Sequence, residues 1–313
     1  MLKDKRIVVT GGAGFIGSNL ARNLCNNNEV IVIDNLITGN FNNIQDLIDK
    51  NKINFINESI TDINLLKKSL KGIDFVFHQA AIPSVPRSVK DPISSNNANI
   101  NGTLNVLVAA KENDVKKVIY ASSSSVYGDT PTLPKKENMN PCPLSPYAVS
   151  KLSGEYYCNV FTEVYGLKTV CLRYFNVYGP RQDPTGDYAA VVPKFIEKIL
   201  SDNSPIIYGD GKQSRDFSYV DDVVQANIKA AESTSCGIFN IADGKKITIN
   251  KLAELLMEII GKDLKIIYNP PRPGDIKHSV ADISKATKML NYNPIYDLKK
   301  GLSEAVKWFQ KKN

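Results

Sequence analysis

The sequence predicts an α/β chain, with a doubly wound parallel sheet and a smaller carboxy-terminal α/β lobe. Three observations carry this expectation. Short β-branched runs alternate with helical patterns up to residue 172, closely spaced glycines separate the first run from the first helix, and the alternation breaks after Arg173. The apolar runs lie at 6–10, 29–33, 53–56, 73–77, 117–121 and 168–172, and the helical patterns near 15–27, 43–50, 62–71, 94–113 and 147–165. Strands covered on both faces read as continuous apolar runs, and parallel neighbours need a helical crossover between them. Beyond Arg173, a loop with Gly179, Pro180, Pro184 and Gly186 leads to a helix near 189–201 and a strand at 205–208. Residues 237–241 read as a strand, 248–260 as a helix, 270–274 as a turn and 298–311 as a final helix. The expected division is a first domain of 1–172 joined by parts of 213–240, and a lobe of 173–212 and 241–313.

Composition narrows the function classes. The net charge of +7 comes from 39 basic and 32 acidic residues, but the lysines are scattered, which reads as a solvated surface and not as a nucleic-acid footprint. The five cysteines form an odd set without a CxxC pair, so neither a disulfide framework nor a metal site is expected. A reducing cytoplasm fits that usage. Met1 to Lys5 run straight into the first strand, and no apolar run reaches membrane-spanning length, so no targeting or membrane segment is expected.

The first strand, Arg6 to Thr10, opens into Gly11-Gly12-Ala13-Gly14-Phe15-Ile16-Gly17 and then a helix through Leu20 and Leu24. This arrangement sets a pyrophosphate on the backbone N–H groups of a helix start. Asp34 stands seventeen residues beyond Gly17, at the end of the run Val30 to Ile33. A carboxylate there accepts from adenosine ribose hydroxyls and repels a 2′-phosphate, which points to NAD over NADP.

Ser122 to Ser125, Val126, Tyr127 and Gly128 are followed by Tyr147-Ala148-Val149-Ser150-Lys151. A tyrosine and a lysine four apart share a helix face, where the ammonium can lower the phenol's pKa. Two further Tyr-x-x-x-Lys matches occur, Tyr208 to Lys212 and Tyr296 to Lys300. Gly209 and Gly211 argue against a helix in the first, and Asp297 reads as a cap that leaves Tyr296 outside the second. Only Tyr147 follows a proline at a helix start and has a serine cluster upstream.

Together with Leu172-Arg173-Tyr174-Phe175-Asn176, these motifs resemble the extended short-chain dehydrogenase/reductase family and its Rossmann fold, and within it the UDP-hexose 4-epimerases. The resemblance spans essentially the whole chain. It implies NAD held by Gly11, Gly14, Phe15, Ile16, Gly17, Asp34 and Asn35, with Asp62 and Ile63 flanking the adenine. Gln79, Ala80 and Ala81, together with Asn99 and Tyr174, are implied near the cofactor, as are Tyr147 and Lys151. His78 reads better as a packed strand residue than as an acid or base. The first domain is then the NAD-binding one, and the second lobe holds the UDP-sugar.

The implied catalytic set is Ser123, Tyr147 and Lys151. A phenol titrates near 10 in water, so acting as a base near neutrality requires a fall of about three units, or about 4 kcal/mol. A cation about 4 Å away at an effective dielectric near 20 supplies about that much. Lys151 and the positive nicotinamide would provide it. Tyr147 would take the proton of the sugar 4-hydroxyl as hydride leaves C4 for the nicotinamide, with Ser123 hydrogen-bonded to the same oxygen. The keto sugar would then turn over and take the hydride on its other face.

Arg215 and Arg272 match diphosphate-binding positions, Asp275 a ribose contact, and Asn176 a phosphate or sugar contact. The implied substrate set also holds Ser84, Ser123, Ser124, Ser125, Gln182, Ala190, Val191, Tyr208 and Ser279. Related dehydratases carry Asp and Glu where Ser124 and Ser125 stand, and serine hydroxyls do neither job near pH 7. Ser279 replaces the bulky tyrosine that closes the pocket to an acetamido group in relatives selective for plain hexoses. Interconversion of UDP-GlcNAc and UDP-GalNAc is therefore expected, together with activity on UDP-Glc and UDP-Gal. Pro83 departs from the pattern of that subgroup. UDP-glucose 4-epimerase proper and UDP-glucuronate 4-epimerase stay open, the latter through Arg87 or Lys194. An NAD-sensing binding module is the non-enzyme alternative, against which the intact Tyr147/Lys151 pair argues. The family implies a homodimer through the helices near 94–113 and 147–165.

Overall fold

The computed structural model describes residues 2–185, 189–271 and 276–312. In its first part, β1 (Arg6–Thr10), α1 (Phe15–Leu24), β2 (Glu29–Ile33), α2 (Gln45–Asp49), β3 (Asn54–Ile56), α3 (Ile63–Ser69) and β4 (Phe75–His78) alternate. Next come α4 (Val85–Lys90), α5 (Pro92–Asn96), α6 (Gly102–Glu112), β5 (Lys117–Ser123), α7 (Pro146–Tyr165) and β6 (Thr169–Tyr174). The second part holds β7 (Val177–Tyr178), α8 (Val191–Leu200), β8 (Ile206–Tyr208), β9 (Ser214–Arg215), β10 (Ser218–Tyr219), α9 (Val220–Glu232) and β11 (Gly237–Ile241). It closes with β12 (Ile247–Thr248), α10 (Ile249–Ile260), β13 (Ile267–Asn269), α11 (Ser284–Leu290) and α12 (Leu298–Lys312).

Seven strands form one sheet in the order β11-β6-β5-β4-β1-β2-β3, with every neighbouring pair parallel. The expected doubly wound sheet is present. Chain direction across the sheet reverses between β1 and β4, and the crevice at such a switch point is where open α/β sheets bind ligands. Leu20, Val223 and Phe239 pack on one face of the sheet, and Leu66, Val106 and Phe161 on the other. A separate core of Ile196, Ile207, Leu252, Leu302 and Phe309 underlies the carboxy-terminal lobe.

Local chemistry sets the element ends. Ser145 Oγ accepts from Ala148 N at 3.1 Å, Pro146 occupies the first turn of α7, and Gly166 ends it with a φ of 71°. Asp297 Oδ1 accepts from Lys300 N at 2.8 Å, so Tyr296 stays outside α12 as expected, while Tyr208 ends a strand. The single helix expected near 94–113 is interrupted: a π-helical turn at Asn97–Asn101 joins α5 to α6 and carries Asn99 inward. α9 was not anticipated, although Val220, Val223, Val224 and Ile228 recur at helical spacing behind Asp221 and Asp222 in its first turn. The polar residues between them masked the stripe.

Candidate active site

A cleft of about 480 Å³ crosses the carboxyl ends of β1, β2, β4 and β5. Its floor is built by the glycine loop. Gly11 has a φ of +68°, and a Cβ on it would lie 2.5 Å from Ala80 N. A Cβ on Gly17 would lie 2.1 Å from Gly11 O. Gly14 begins α1 with no side-chain cap, which leaves first-turn N–H groups open to an anion. Asp34 Oδ2 accepts from Ala13 N at 2.9 Å and Oδ1 from Leu36 N at 2.8 Å, so the carboxylate also holds the loop. Burial raises its pKa, against the lowering by those backbone bonds. A floor with no room for side chains, an uncapped helix start and a carboxylate beside it fit a dinucleotide such as NAD.

The other expected cofactor residues divide into those that line the cleft and those that stand behind it. Phe15, Ile16 and Asn35 line it, as do Gln79, Ala80 and Ala81. Asp62 and Ile63 do not: Asp62 Oδ1 caps α3 by accepting from Asn64 N and Leu65 N, and Glu58, Ser59 and Ile60 face the cleft instead. Asn99 is buried behind the wall, where its Oδ1 accepts from Ile82 N at 2.8 Å and its Nδ2 donates to Ser150 Oγ at 3.0 Å. Tyr174 lines the cleft and shares hydrogen bonds with Gln79 and Asn227. Sequence reasoning missed Asn227, because it lies on α9.

His78 is a packed residue. Thr103 Oγ1 donates to Asn99 O at 2.6 Å and so accepts from His78 Nε2, 2.9 Å away. Thr10 Oγ1 accepts from Ala80 N and donates to His78 Nδ1 at 2.7 Å. Burial, reinforced by the Lys151 charge, holds the imidazole pKa down at about 3, which keeps the ring neutral.

Tyr147 and Lys151 share one face of α7 and both line the cleft beside Ser122. Ser123 ends β5 and hydrogen-bonds the Tyr147 phenol. Burial raises that phenol's pKa and the Ser123 bond opposes the rise. The expected depression by Lys151 is therefore not supplied by the chain alone. Lys151 Nζ donates to Ala121 O at 2.8 Å, and burial draws the ammonium pKa down to about 8.

Gln182 and Ala190 line the cleft, whereas Val191 begins α8 and packs on the lobe core. Ser84 caps α4 by accepting from Arg87 N at 3.2 Å. Ser124 and Ser125 form a 3₁₀ turn, and Ser125 Oγ is buried with no partner among the described residues. Asn176 has a φ of 27° and donates to Asp216 O at 3.0 Å. Arg215 Nη1 donates to Ser214 O, and the buried Ser279 donates its N–H to the same Ser214 O at 3.0 Å. Tyr208 faces a separate hollow with Tyr268 and Lys277. Arg272 and Asp275 lie outside the described residues. Arg181 and Trp308 also line the cleft and were not anticipated, since neither sits in a glycine, serine or tyrosine motif.

The chain matches the NAD dependent epimerase/dehydratase family over residues 7–242. A curated relative, the putative UDP-glucose 4-epimerase of Methanocaldococcus jannaschii, is 43% identical over 98% of this chain and 99% of its own length. Among solved structures, the UDP-N-acetylglucosamine 4-epimerase of Methanobrevibacter ruminantium in complex with UDP-N-acetylmuramic acid is 48% identical, with a TM-score of 0.97 and 100% of both chains covered. The UDP-glucuronic acid 4-epimerase of Bacillus cereus, in complex with UDP-glucuronic acid and NAD, is 37% identical, with a TM-score of 0.91 over 98% of this chain and 100% of that one. With the glycine loop, Asp34 and the Tyr147/Lys151 pair gathered in one cleft, the chain belongs to the NAD-dependent epimerase/dehydratase family, as an NAD-dependent enzyme of its UDP-sugar 4-epimerase branch.

Proposed function

We propose that the enzyme interconverts UDP-GlcNAc and UDP-GalNAc and also turns over UDP-Glc and UDP-Gal. The small, buried Ser279, where relatives selective for plain hexoses carry a bulky tyrosine, carries the N-acetyl reading, and Gln182 adds an acceptor. Gln182 Nε2 donates to Val177 O at 3.0 Å, which fixes the amide orientation and leaves Oε1 as a buried acceptor without a partner among the described residues. A buried acceptor calls for a donor. An acetamido N–H supplies one, and a hydroxyl can serve in its place, so plain hexoses remain substrates. A glucuronate carboxylate calls for a cation instead. The cations among the described lining residues are Lys151, bonded to Ala121 O, and Arg181, whose Nη1 donates to Asn19 Oδ1.

In this reading Tyr147 removes the proton of the sugar 4-hydroxyl, Lys151 together with the positive charge of the bound cofactor favours the phenolate, and Ser123 holds the sugar oxygen as its charge changes. NAD, when bound, supplies the hydride acceptor. Asp34 takes the adenosine ribose, while Arg215, Arg272, Asn176 and Asp275 anchor the nucleotide so that the sugar alone can turn over. Ser124 and Ser125 offer no acid or base for dehydration. Side-by-side kinetics on UDP-GlcNAc, UDP-Glc and UDP-GlcA test the assignment. The highest kcat/KM is expected for UDP-GlcNAc, and a preference of ten-fold or more for UDP-GlcA or UDP-Glc would overturn it.

A homodimer is part of the proposal. Val149, Tyr156, Val160 and Val164 expose an apolar stripe on α7, and Val85, Val89 and Ile93 extend it on the adjoining α4 and α5. A second copy applied there would bury both stripes. Sedimentation is expected to give twice the chain mass, and Val160→Asp to give the monomer; a monomeric parent protein would refute the interface. A cytoplasmic location fits the five unpaired cysteines, and no helix among the described residues is long and apolar enough to cross a membrane.

A further inference from the structure

None of the proposed steps uses the ion pair buried beneath them. Glu155 follows Lys151 by one turn on α7. Its Oε1 accepts from Ser122 Oγ at 2.5 Å and Arg173 Nε at 2.8 Å, and its Oε2 accepts from Arg173 Nη2 at 2.7 Å. The Arg173 side chain is 1% exposed and that of Glu155 0%. Arg173 Nη1 has no hydrogen-bond acceptor among the described residues, and the guanidinium lies 4.6 Å from the centroid of the Tyr127 ring. Tyr127 ends the turn formed by the serine run and donates to Asn240 Oδ1 at 2.7 Å.

As a stabiliser, such a pair is poorly chosen. Desolvation offsets the attraction, and apolar residues of similar volume often serve a fold as well or better. What distinguishes this pair is the set of elements it joins. Ser122 precedes Ser123 on β5, Glu155 lies below Lys151 on α7, and Arg173 precedes Tyr174 on β6 in register with Ser122. All three elements end at the cleft. We propose that Glu155 and Arg173 are positioning residues, which fix Ser123 against Tyr147 and keep a negative charge beneath Lys151.

The groups facing Lys151 are Tyr147, Glu155 and Cys158 from α7, Tyr120 from β5 and the neutral His78 from β4. Burial lowers the Lys151 ammonium pKa, whereas Cys158 and, to a smaller extent, the Glu155 charge raise it. Removing Glu155 therefore makes Lys151 lose its proton at lower pH.

The test is the paired variant Glu155→Met/Arg173→Met, which leaves no unpaired charge, with Ser122→Ala beside it. The proposal rests on the 4-epimerase reading, so each protein is assayed on both UDP-GlcNAc and UDP-Glc. A parent enzyme silent on UDP-GlcNAc would sink the substrate assignment and leave this test readable on UDP-Glc. The paired variant is expected to melt near the parent temperature and keep its NAD affinity. Its kcat should fall about 10- to 100-fold, as for a reacting group displaced by a fraction of an ångström to 1 Å. The alkaline limb of its kcat profile should move to lower pH, since the carboxylate lost lies nearer Lys151 than the guanidinium lost with it. Parent-like kcat and an unmoved limb would overturn the proposal. Should the paired variant fail to fold, Ser122→Ala decides: a several-fold lower kcat at unchanged melting temperature supports the positioning role, and unchanged kcat overturns it.

Discussion

Tyr147→Phe is expected to lower kcat by about 10²- to 10⁴-fold, the range that a positioned proton-transfer group supplies. The NAD affinity should stay within a few-fold, because the glycine floor and Asp34 are untouched. Substrate affinity should change as little, since the proposed nucleotide anchors lie elsewhere. Burial raises its pKa, Ser123 is the group that lowers it within the chain, and Lys151 is turned onto Ala121 O. The phenol is therefore protonated until the cofactor's positive charge arrives. A titration of the phenol by ultraviolet difference spectroscopy should show a lower pKa with NAD than without it. Retained turnover in Tyr147→Phe, with weakened NAD binding, would contradict the assigned role.

Gly17→Ala is expected to have the second largest effect. Its added methyl would lie 2.1 Å from Gly11 O and 2.8 Å from Gly12 Cα, and backbone atoms cannot swing aside as the end of a side chain can. Overpacking of this kind costs about 1–3 kcal/mol, and displacing the loop carries a loss of roughly 10- to 100-fold in NAD affinity. Gly166→Ala is the control. Gly166, unlike Gly17, has a positive φ, but a Cβ there meets nothing within 4 Å, so the expected cost is about 1 kcal/mol of stability with NAD affinity unchanged. Calorimetric titration with NAD checks both. Equal affinities for Gly17→Ala and the parent would show that the loop has room the structure denies it.

Much of the fold was legible because the sheet strands are buried on both faces, so Val30 to Ile33 or Val118 to Ala121 announce themselves as apolar runs. Helix starts were legible where chemistry marks them, at Pro146 and Asp297. α9 was not, because its inward face includes Asp222 and Asn227, polar residues that pair within the fold: Asp222 accepts from Ile295 N and Tyr296 N, and Asn227 meets Tyr174. Glycine and tyrosine motifs pointed to the cofactor floor and the reacting pair, since each demands a particular residue type. The adenine end was harder to read. Asp62 matched a motif, yet its carboxylate caps α3, and the neighbouring Glu58, Ser59 and Ile60 reach the cleft. Arg181 escaped notice for a different reason. It holds a left-handed φ of 68° and bonds Asn19 on α1, a contact between distant parts of the chain that no local pattern encodes.

The central claim is that configuration at C4 is inverted by oxidising that carbon and reversing the step, with nothing eliminated. Its most direct test is UDP-GlcNAc carrying deuterium at C4, followed by nuclear magnetic resonance of the product. The account predicts UDP-GalNAc with the deuterium retained at C4 and no label from solvent at C4 or C5. Loss of the deuterium to water, or solvent label entering C5, would contradict it.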